Sequence, residues 1–466
     1  MKHNNSYVTD FPASKRERQR GSIAVLGTLT LTALFGMLGL TFDAAYLYHL
    51  RRNAQMAADA GAKAGSIEMQ NGSNKDTITD QAKAEVATNG FTDGTNGVTV
   101  TVNKPPVGGS WDGNPNAVQV IVKQAVPTSF MQVLGLSNAQ VVAESVGGKQ
   151  SGTNCIYALN PATDHAISVS GNSSTVNANC GVMDDSSTSH AFSISGGATF
   201  SATSVSVVGG VEDTTGADKC GSNCTVTSAP NAPVTGAASE LDPLRTIAQP
   251  TVGACTYTGT VGNSYVALNG SAVSVLPITA PPITGIGTAG NPYVLSPGTY
   301  CNGISISAGL YATFNSGTYI LKGVSGSNQA LTVSGGANVS GTGVTFFQTA
   351  TSASNYRPIA ISGNSTASFS APNSGSMAGM LFFQDRTMTG INNTNQESFT
   401  GGSNLTLQGA IYFPLDNVTF SGGTVAHPDY LIIVADTITF TGGSTVNNDY
   451  SALEQGSPIQ VTGIIE

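Results

Sequence analysis

The chain has 466 residues, only 10% of them charged against roughly a quarter in ordinary globular proteins, and 56 of them glycine. Such a length exceeds one compact core and calls for several domains or an elongated repeat. The 40% hydrophobic content excludes a polytopic membrane protein, the low charge excludes a highly charged disordered chain, and a net charge of −9 argues against nucleic-acid binding. Thirteen of the 18 Lys and Arg residues lie in the first 150, which are close to neutral, whereas the remainder carries a net −11.

Residues 1–20 form a basic segment in which Lys15, Arg16, Arg18 and Arg20 face one acid, Glu17. An uncharged run follows from Gly21 to Phe42 and includes Ile23, Leu31, Phe35 and Leu40. As a helix it spans about 33 Å, enough for a bilayer core of about 30 Å. A transmembrane helix is therefore predicted over 21–45. The basic flank places residues 1–20 in the cytoplasm and the rest outside, with Tyr46 and Tyr48 in the far headgroup belt. Asp43 falls at that far end, where an acid costs little. A cleaved signal peptide is the competing reading, but its apolar region would be shorter.

The helix is predicted to continue to about residue 70, because 44–69 contains no proline and is rich in alanine. Ala54, Ala58, Gly61 and Gly65 form a small-residue stripe that would admit a close partner helix. A second short helix, from Asp76 to Asn89, places Ile78, Ala82 and Val86 on one face.

The Arg20-Gly21 entry, the apolar span, Asp43 with Tyr46, Asn53–Gln55 and the Ala57-Ala58-Asp59-Ala60 stretch together resemble the N-terminal segment of TadG-like proteins of the Tad/Flp pilus assembly system. The strands that follow resemble the small periplasmic module of that family, and CIYALNP (155–161), LDPL (241–244) and PGTYCNGISI (297–306) resemble its periplasmic region. The resemblance implies a single-pass inner-membrane protein with most of its chain in the periplasm. It also implies a role in pilus biogenesis and surface adhesion, with pilin-like and other assembly proteins as partners of the N-terminal helix and membrane lipid around it. The family supplies no catalytic residues. In the neighbouring pilin-like proteins a peptidase cuts after a glycine that has a glutamate five residues on. Here Gly21 is followed at that distance by Leu26, so processing is not predicted.

Residues 71–150 read as a compact α+β module. Strands are predicted at 98–102, 117–123 and 139–146, with a short helix from Pro127 to near Gly135. Trp111, the only tryptophan, lies in a Gly/Pro-rich loop and is expected to cover the core.

From residue 151 helical periodicity disappears. A short apolar strand followed by Ser or Thr and then Gly recurs, with its first glycines at 171, 196, 335, 363, 401, 422 and 442. PGTY (297–300) is echoed by SGTY (316–319), and a buried-strand run recurs in GMLFFQD (379–385), GAIYFPLD (409–416) and YLIIVAD (430–436). Repeats of this length indicate a solenoid. The predicted fold is mainly β: a right-handed parallel β-helix-like solenoid over 151–466, with an irregular insertion around 211–290. An antiparallel sandwich is the alternative, but the hairpin turns it needs are sparse.

The six cysteines, Cys155, Cys180, Cys220, Cys224, Cys255 and Cys301, all lie beyond the span and read as disulfides of an oxidising compartment. Sequence alone leaves the connectivity open. Nearest-neighbour order favours Cys155–Cys180, Cys220–Cys224 and Cys255–Cys301. Zinc would need clustered ligands, which neither Cys220-x3-Cys224 nor the scattered histidines provide. Asp185 to Ser189 fits the D-x-S-x-S pattern of von Willebrand A metal sites, but the flanking residues read as strands rather than strand and helix. Of the bases beyond residue 150 only Arg357 and Arg386 lie near the regular repeats and near an acid, Asp385, as an enzyme reading would need, and a surface ion pair or strand-end charge is the plainer account. The expectation is thus a non-enzymatic assembly protein without cofactor, metal, nucleic acid or small-molecule substrate. A membrane-displayed adhesin or carbohydrate-binding β-helix and a polysaccharide-active β-helix enzyme are the alternatives.

Overall fold

The computed structural model describes residues 18–171, 174–212, 225–228, 232–259, 266–268, 273–274, 276–277, 282–325, 329–362, 364–391, 396–401, 405–422, 429–454 and 456–465. Lys15, Arg16, Cys220 and Cys224 lie outside them. The chain divides into two compact units, residues 1–150 with 462–466, and residues 151–461.

In the first unit, α1 (Arg18–Gln70) is one continuous 53-residue helix and α2 (Lys75–Thr88) follows it. Asn74 caps α2, its side chain accepting from the Thr77 backbone N–H at 2.9 Å. Strands β1 (Val98–Asn103), β2 (Ala117–Pro127) and β3 (Asn138–Ser151) pair antiparallel, and the C-terminal strand Gln460–Ile464 lies beside β3. The Ile465 N–H donates to the Val146 carbonyl at 2.8 Å. Alternating residues Val98 and Val100, Val118, Val120 and Val122, and Val141 and Ala143 meet Ala54, Ala58 and Ala62 of α1 and Ile78, Ala82 and Val86 of α2 in one core. The short helix expected from Pro127 starts later. Pro127 ends β2, and a single 3₁₀ turn, Met131–Leu134, stands in its place.

The second unit is mainly β, and most of its strands stack in parallel; Tyr257–Thr258 with Leu276–Pro277 and Val266–Leu268 with Val273–Ser274 pair antiparallel. A first ladder runs, in spatial order, through Tyr257–Thr258, Gly298–Cys301, Gly317–Gly323, Val344–Ala350, Met380–Gln384, residues 409–413 and 431–435, Asn154–Ala158, Gly181–Asp184, Ser204–Val207 and Val234–Thr235. A second ladder takes the next strand of each turn, from Val266–Leu268 through Ile304–Ile306, Leu331–Val333 and Ile359–Ile361 to Glu397–Gly401. It continues through residues 418–422 and 438–440 to Ile167–Val169, Phe192–Ile194 and Val211–Glu212. A third set of strands, including Asn338–Thr342 and Thr366–Ser370, pairs in the same sense. Parallel stacking excludes the antiparallel sandwich.

The spatial order departs from the chain order. Asn154–Ala158 pairs with residues 433–435 on one side and with Gly181–Asp184 on the other. The chain therefore enters the stack in its middle, winds to one end at Val234–Thr235, and resumes at the opposite end at Tyr257–Thr258. From there it winds back to the entry strand.

Residues 236–256 make the crossing. The Glu240 N–H donates to Asp185 at 2.9 Å, the Tyr412 hydroxyl to Asp242 at 2.5 Å, and Lys322 Nζ to the Gly253 carbonyl at 3.3 Å. The Thr299 N–H donates to Thr256 Oγ1 at 2.7 Å. The part of the expected insertion that lies here is thus a strap along the ladders. Its prolines, Pro243 and Pro250, lack the N–H that a ladder position requires.

The core is one continuous apolar cluster. Aromatic rings of successive turns pack on one another, Phe346 on Phe382 at 5.3 Å, Phe399 on Phe420 at 5.4 Å and Phe420 on Phe440 at 5.4 Å between centroids. Cys155 is bonded to Cys180 and Cys255 to Cys301, each tying neighbouring turns of the stack.

Candidate functional site

Within α1 the exposed apolar side chains run from Val25 to Phe42 and include Leu31 and Phe35, while Leu40 is half-buried. Gly21 and Ile23 belong to the same helix, as do Arg18 and Arg20 at its start. Tyr46 and Tyr48 are exposed one turn beyond Phe42. This helix is long and apolar enough to cross a membrane.

Asp43 has partners in the structure that the sequence did not reveal. Its carboxylate is buried and accepts the backbone N–H groups of Phe130 and Met131, both at 2.7 Å, and of Ser129 at 3.3 Å. These are the free donors at the start of the 3₁₀ turn, so Asp43 caps it across 86 residues of sequence or more. One turn earlier on α1, Gly39 lies under the Phe130 ring. A Cβ there would stand 2.3 Å from Phe130 Cδ1. Phe35, Leu38, Gly39, Phe42 and Phe130 line an open apolar hollow of about 390 Å³.

The small-residue stripe is used inside the chain. A Cβ on Gly61 would meet Val86 Cγ2 at 2.5 Å, and one on Gly65 would meet Val118 Cγ1 at 3.1 Å. Ala54 and Ala58 are buried in the same packing. The close neighbours of the stripe are therefore α2 and β2. Beside it Gln55 donates to Asp59 at 2.9 Å and to the Glu144 carbonyl at 2.8 Å, tying α1 to β3 through two of the residues that carry the resemblance.

In the second unit the candidate acids are engaged. Burial pushes the Asp385 carboxyl up, but hydrogen bonds from Thr349, Thr387 and Gln249 more than offset it and hold the group below the usual range. Arg386 does not serve a surface pair. Its guanidinium donates to the Leu244, Arg245 and Ile247 carbonyls of the strap and lies 5.4 Å from the Phe383 ring centroid. Asp185 receives the Glu240 N–H, whereas Ser187 donates to the Pro161 carbonyl at 2.9 Å. The next strand after this run is Phe192–Ile194, where a von Willebrand A motif would open a helix. Among the described residues no group of three or more His, Cys, Asp or Glu is placed to hold a metal.

Other buried carboxyls lie at strand ends along both ladders. Burial pushes Asp184 and Asp416 up to about 7, and it raises Glu397, which accepts from Gln348, Tyr356 and the Ile359 N–H, well above the usual range. In each case burial in the packed stack is the main cause of the rise.

The first unit thus defines a class, a helical anchor fused to a small α+β module whose sheet packs on the anchor's own continuation. Residues 21–71 match the putative Flp pilus-assembly TadE/G-like family, and residues 47–146 match the putative Tad-like Flp pilus-assembly family. With the apolar N-terminal helix, these matches support a likeness of residues 21–146 to TadG-like proteins of the Tad/Flp pilus system. No curated protein and no solved structure matches the chain.

Proposed function

We propose that the protein is a non-catalytic, membrane-anchored assembly component of the Tad/Flp pilus. The pair of family matches over the anchor and its module carries this reading. The basic residues before the span favour a cytoplasmic N-terminus in the inner membrane, with the bulk of the chain in the periplasm. The two disulfides of the second unit suit that oxidising compartment.

In this reading the parallel ladders form a right-handed β-helix-like solenoid that acts as a rigid periplasmic surface for assembly and adhesion. Pilin-like proteins would meet the lipid-facing part of α1, because its later part is packed against α2 and β2. A chromosomal deletion tests the proposal. Surface pili should be lost on deletion and restored by the full chain, and a deletion strain with normal pili overturns it.

A further inference from the structure

The loop between β2 and β3 carries an apolar surface that the anchor reading alone leaves unexplained. Residues 127–140 contain no charged side chain. Within them Val133 is 86% exposed, Leu134 66%, Leu136 58% and Phe130 47%. A soluble module gains nothing from presenting four such side chains on one short loop. Their position along α1 is fixed from two sides. Asp43 holds the three N–H groups that open the turn, and Phe130 covers Gly39, four residues and about 6 Å deeper along the helix. The loop is therefore held level with the last turn of the exposed apolar span. There Phe130 shares its hollow with Phe35, Leu38 and Phe42, so the two apolar surfaces are continuous.

We propose that residues 129–136 are immersed in the membrane leaflet on the module's side. They form a second, non-spanning lipid contact that fixes the module at the membrane surface. The depth agrees with that of interfacial segments, about 5–10 Å into the headgroup and acyl boundary. The absence of charge over 127–140 fits acyl chains better than a polar protein partner. The inference rests on α1 crossing the membrane, and its test separates the two.

The only tryptophan, Trp111, lies outside this loop, in the connection between β1 and β2, so with Trp111 replaced a single reporter can be placed. Full-length Leu134→Trp and Val133→Trp, each carrying Trp111→Phe, would be reconstituted in phosphatidylcholine vesicles with or without acyl-brominated lipid. If Trp111→Phe is not tolerated, the signal is read as the increment over wild type. Phe35→Trp in the same background reports on the span. Both loop tryptophans should be blue-shifted, lose most of their emission to bromolipid placed near the headgroup, and be shielded from aqueous iodide. Quenching at Phe35→Trp without quenching at either loop position overturns the proposal and leaves the anchor standing. Shielding from iodide without bromolipid quenching also overturns it, in favour of a protein cover. No bromolipid quenching at any position overturns the anchor and the proposal together.

Discussion

The two units bury comparable kinds of side chain and reach order by different routes. In the first, α1 pairs with α2 and β1 with β2 with β3 as neighbours in sequence, and the sheet then folds back onto α1, with residues 460–464 added beside β3. In the second, each strand pairs with others about one turn of chain away, except at one seam. There Asn154–Ala158 joins residues 433–435 across almost the whole unit. The first unit needs close backbone approach at a few small residues. The second needs a continuous column of rings and a strap that carries the chain from one end to the other. Loss of a small residue should therefore be felt locally, whereas loss of a ring should be felt along the stack.

The largest expected effect is in the column. Phe346 is fully buried and packs its ring against Phe314, Phe369 and Phe382 at 5.1–5.4 Å between centroids. Phe346→Ala should destabilise the second unit by about 3–5 kcal/mol through lost contacts and the cavity left behind. Denaturant unfolding followed by amide exchange should show protection falling through residues 298–440 while α2 and β1–β3 keep theirs. Equal loss in both units would break the comparison, since the chain would then unfold as one cooperative body.

The converse change is in the first unit. A Cβ on Gly147 would lie 2.2 Å from the Ala62 carbonyl oxygen, a backbone atom that cannot rotate away. Gly147→Ala should push β3 from α1 and cost about 1–3 kcal/mol, confined to the first unit's amides. Unchanged stability would show that β3 does not rely on this approach.

Much of the second unit was legible because its repeat is chemical as well as periodic. The Ser/Thr-Gly strands at 167, 192, 331, 359, 398, 418 and 438 all fall on the second ladder, and the GMLFFQD-type runs all fall on the first. Gly196 at φ +69° and Gly335 at φ +59° explain why glycine recurs there. One member of the series lacks that glycine. ISISAG (304–309) places Ala308, at φ +61°, where its neighbours have the first glycine. The order of turns was not legible. Every turn presents the same ladder edges, so local spacing cannot say which end receives the next strand. The gap in the glycine series between 196 and 335 was the trace of the crossing. In the first unit the elements followed from periodicity, but the contact of Asp43 with Phe130 and Met131 joins positions that no local pattern relates. The uncharged run over 127–140 was the one sign that this loop was unusual.

The smallest effect per step of the measurement, one pH unit at a time, uses protons to separate the units. Burial raises Asp416 to about 7, and Asp436 nearby adds to the rise, against the Asn417 N–H, which donates to its carboxyl at 2.9 Å. Its Oδ2 is buried without a partner, which suits a neutral group. Between an ordinary carboxylate pKa of about 4 and this value, the unfolded chain has released its proton while the folded chain keeps it. Stability of the second unit should therefore fall as pH rises through that window, by on the order of 1 kcal/mol per pH unit for each such group, and level off above about 7. In the first unit Asp93 behaves oppositely. The hydrogen bond from Lys83 lowers its pKa, so its contribution is complete at neutral pH and is lost only under acid. Asp416→Asn keeps the position neutral. The variant should show a shallower decline in unfolding midpoint between about pH 5 and 7 and a higher midpoint than wild type at about pH 8, with the first unit's transition unmoved. An unchanged slope would mean that Asp416 ionises freely in the folded stack, and that the packing at this strand end is wetter than its burial indicates.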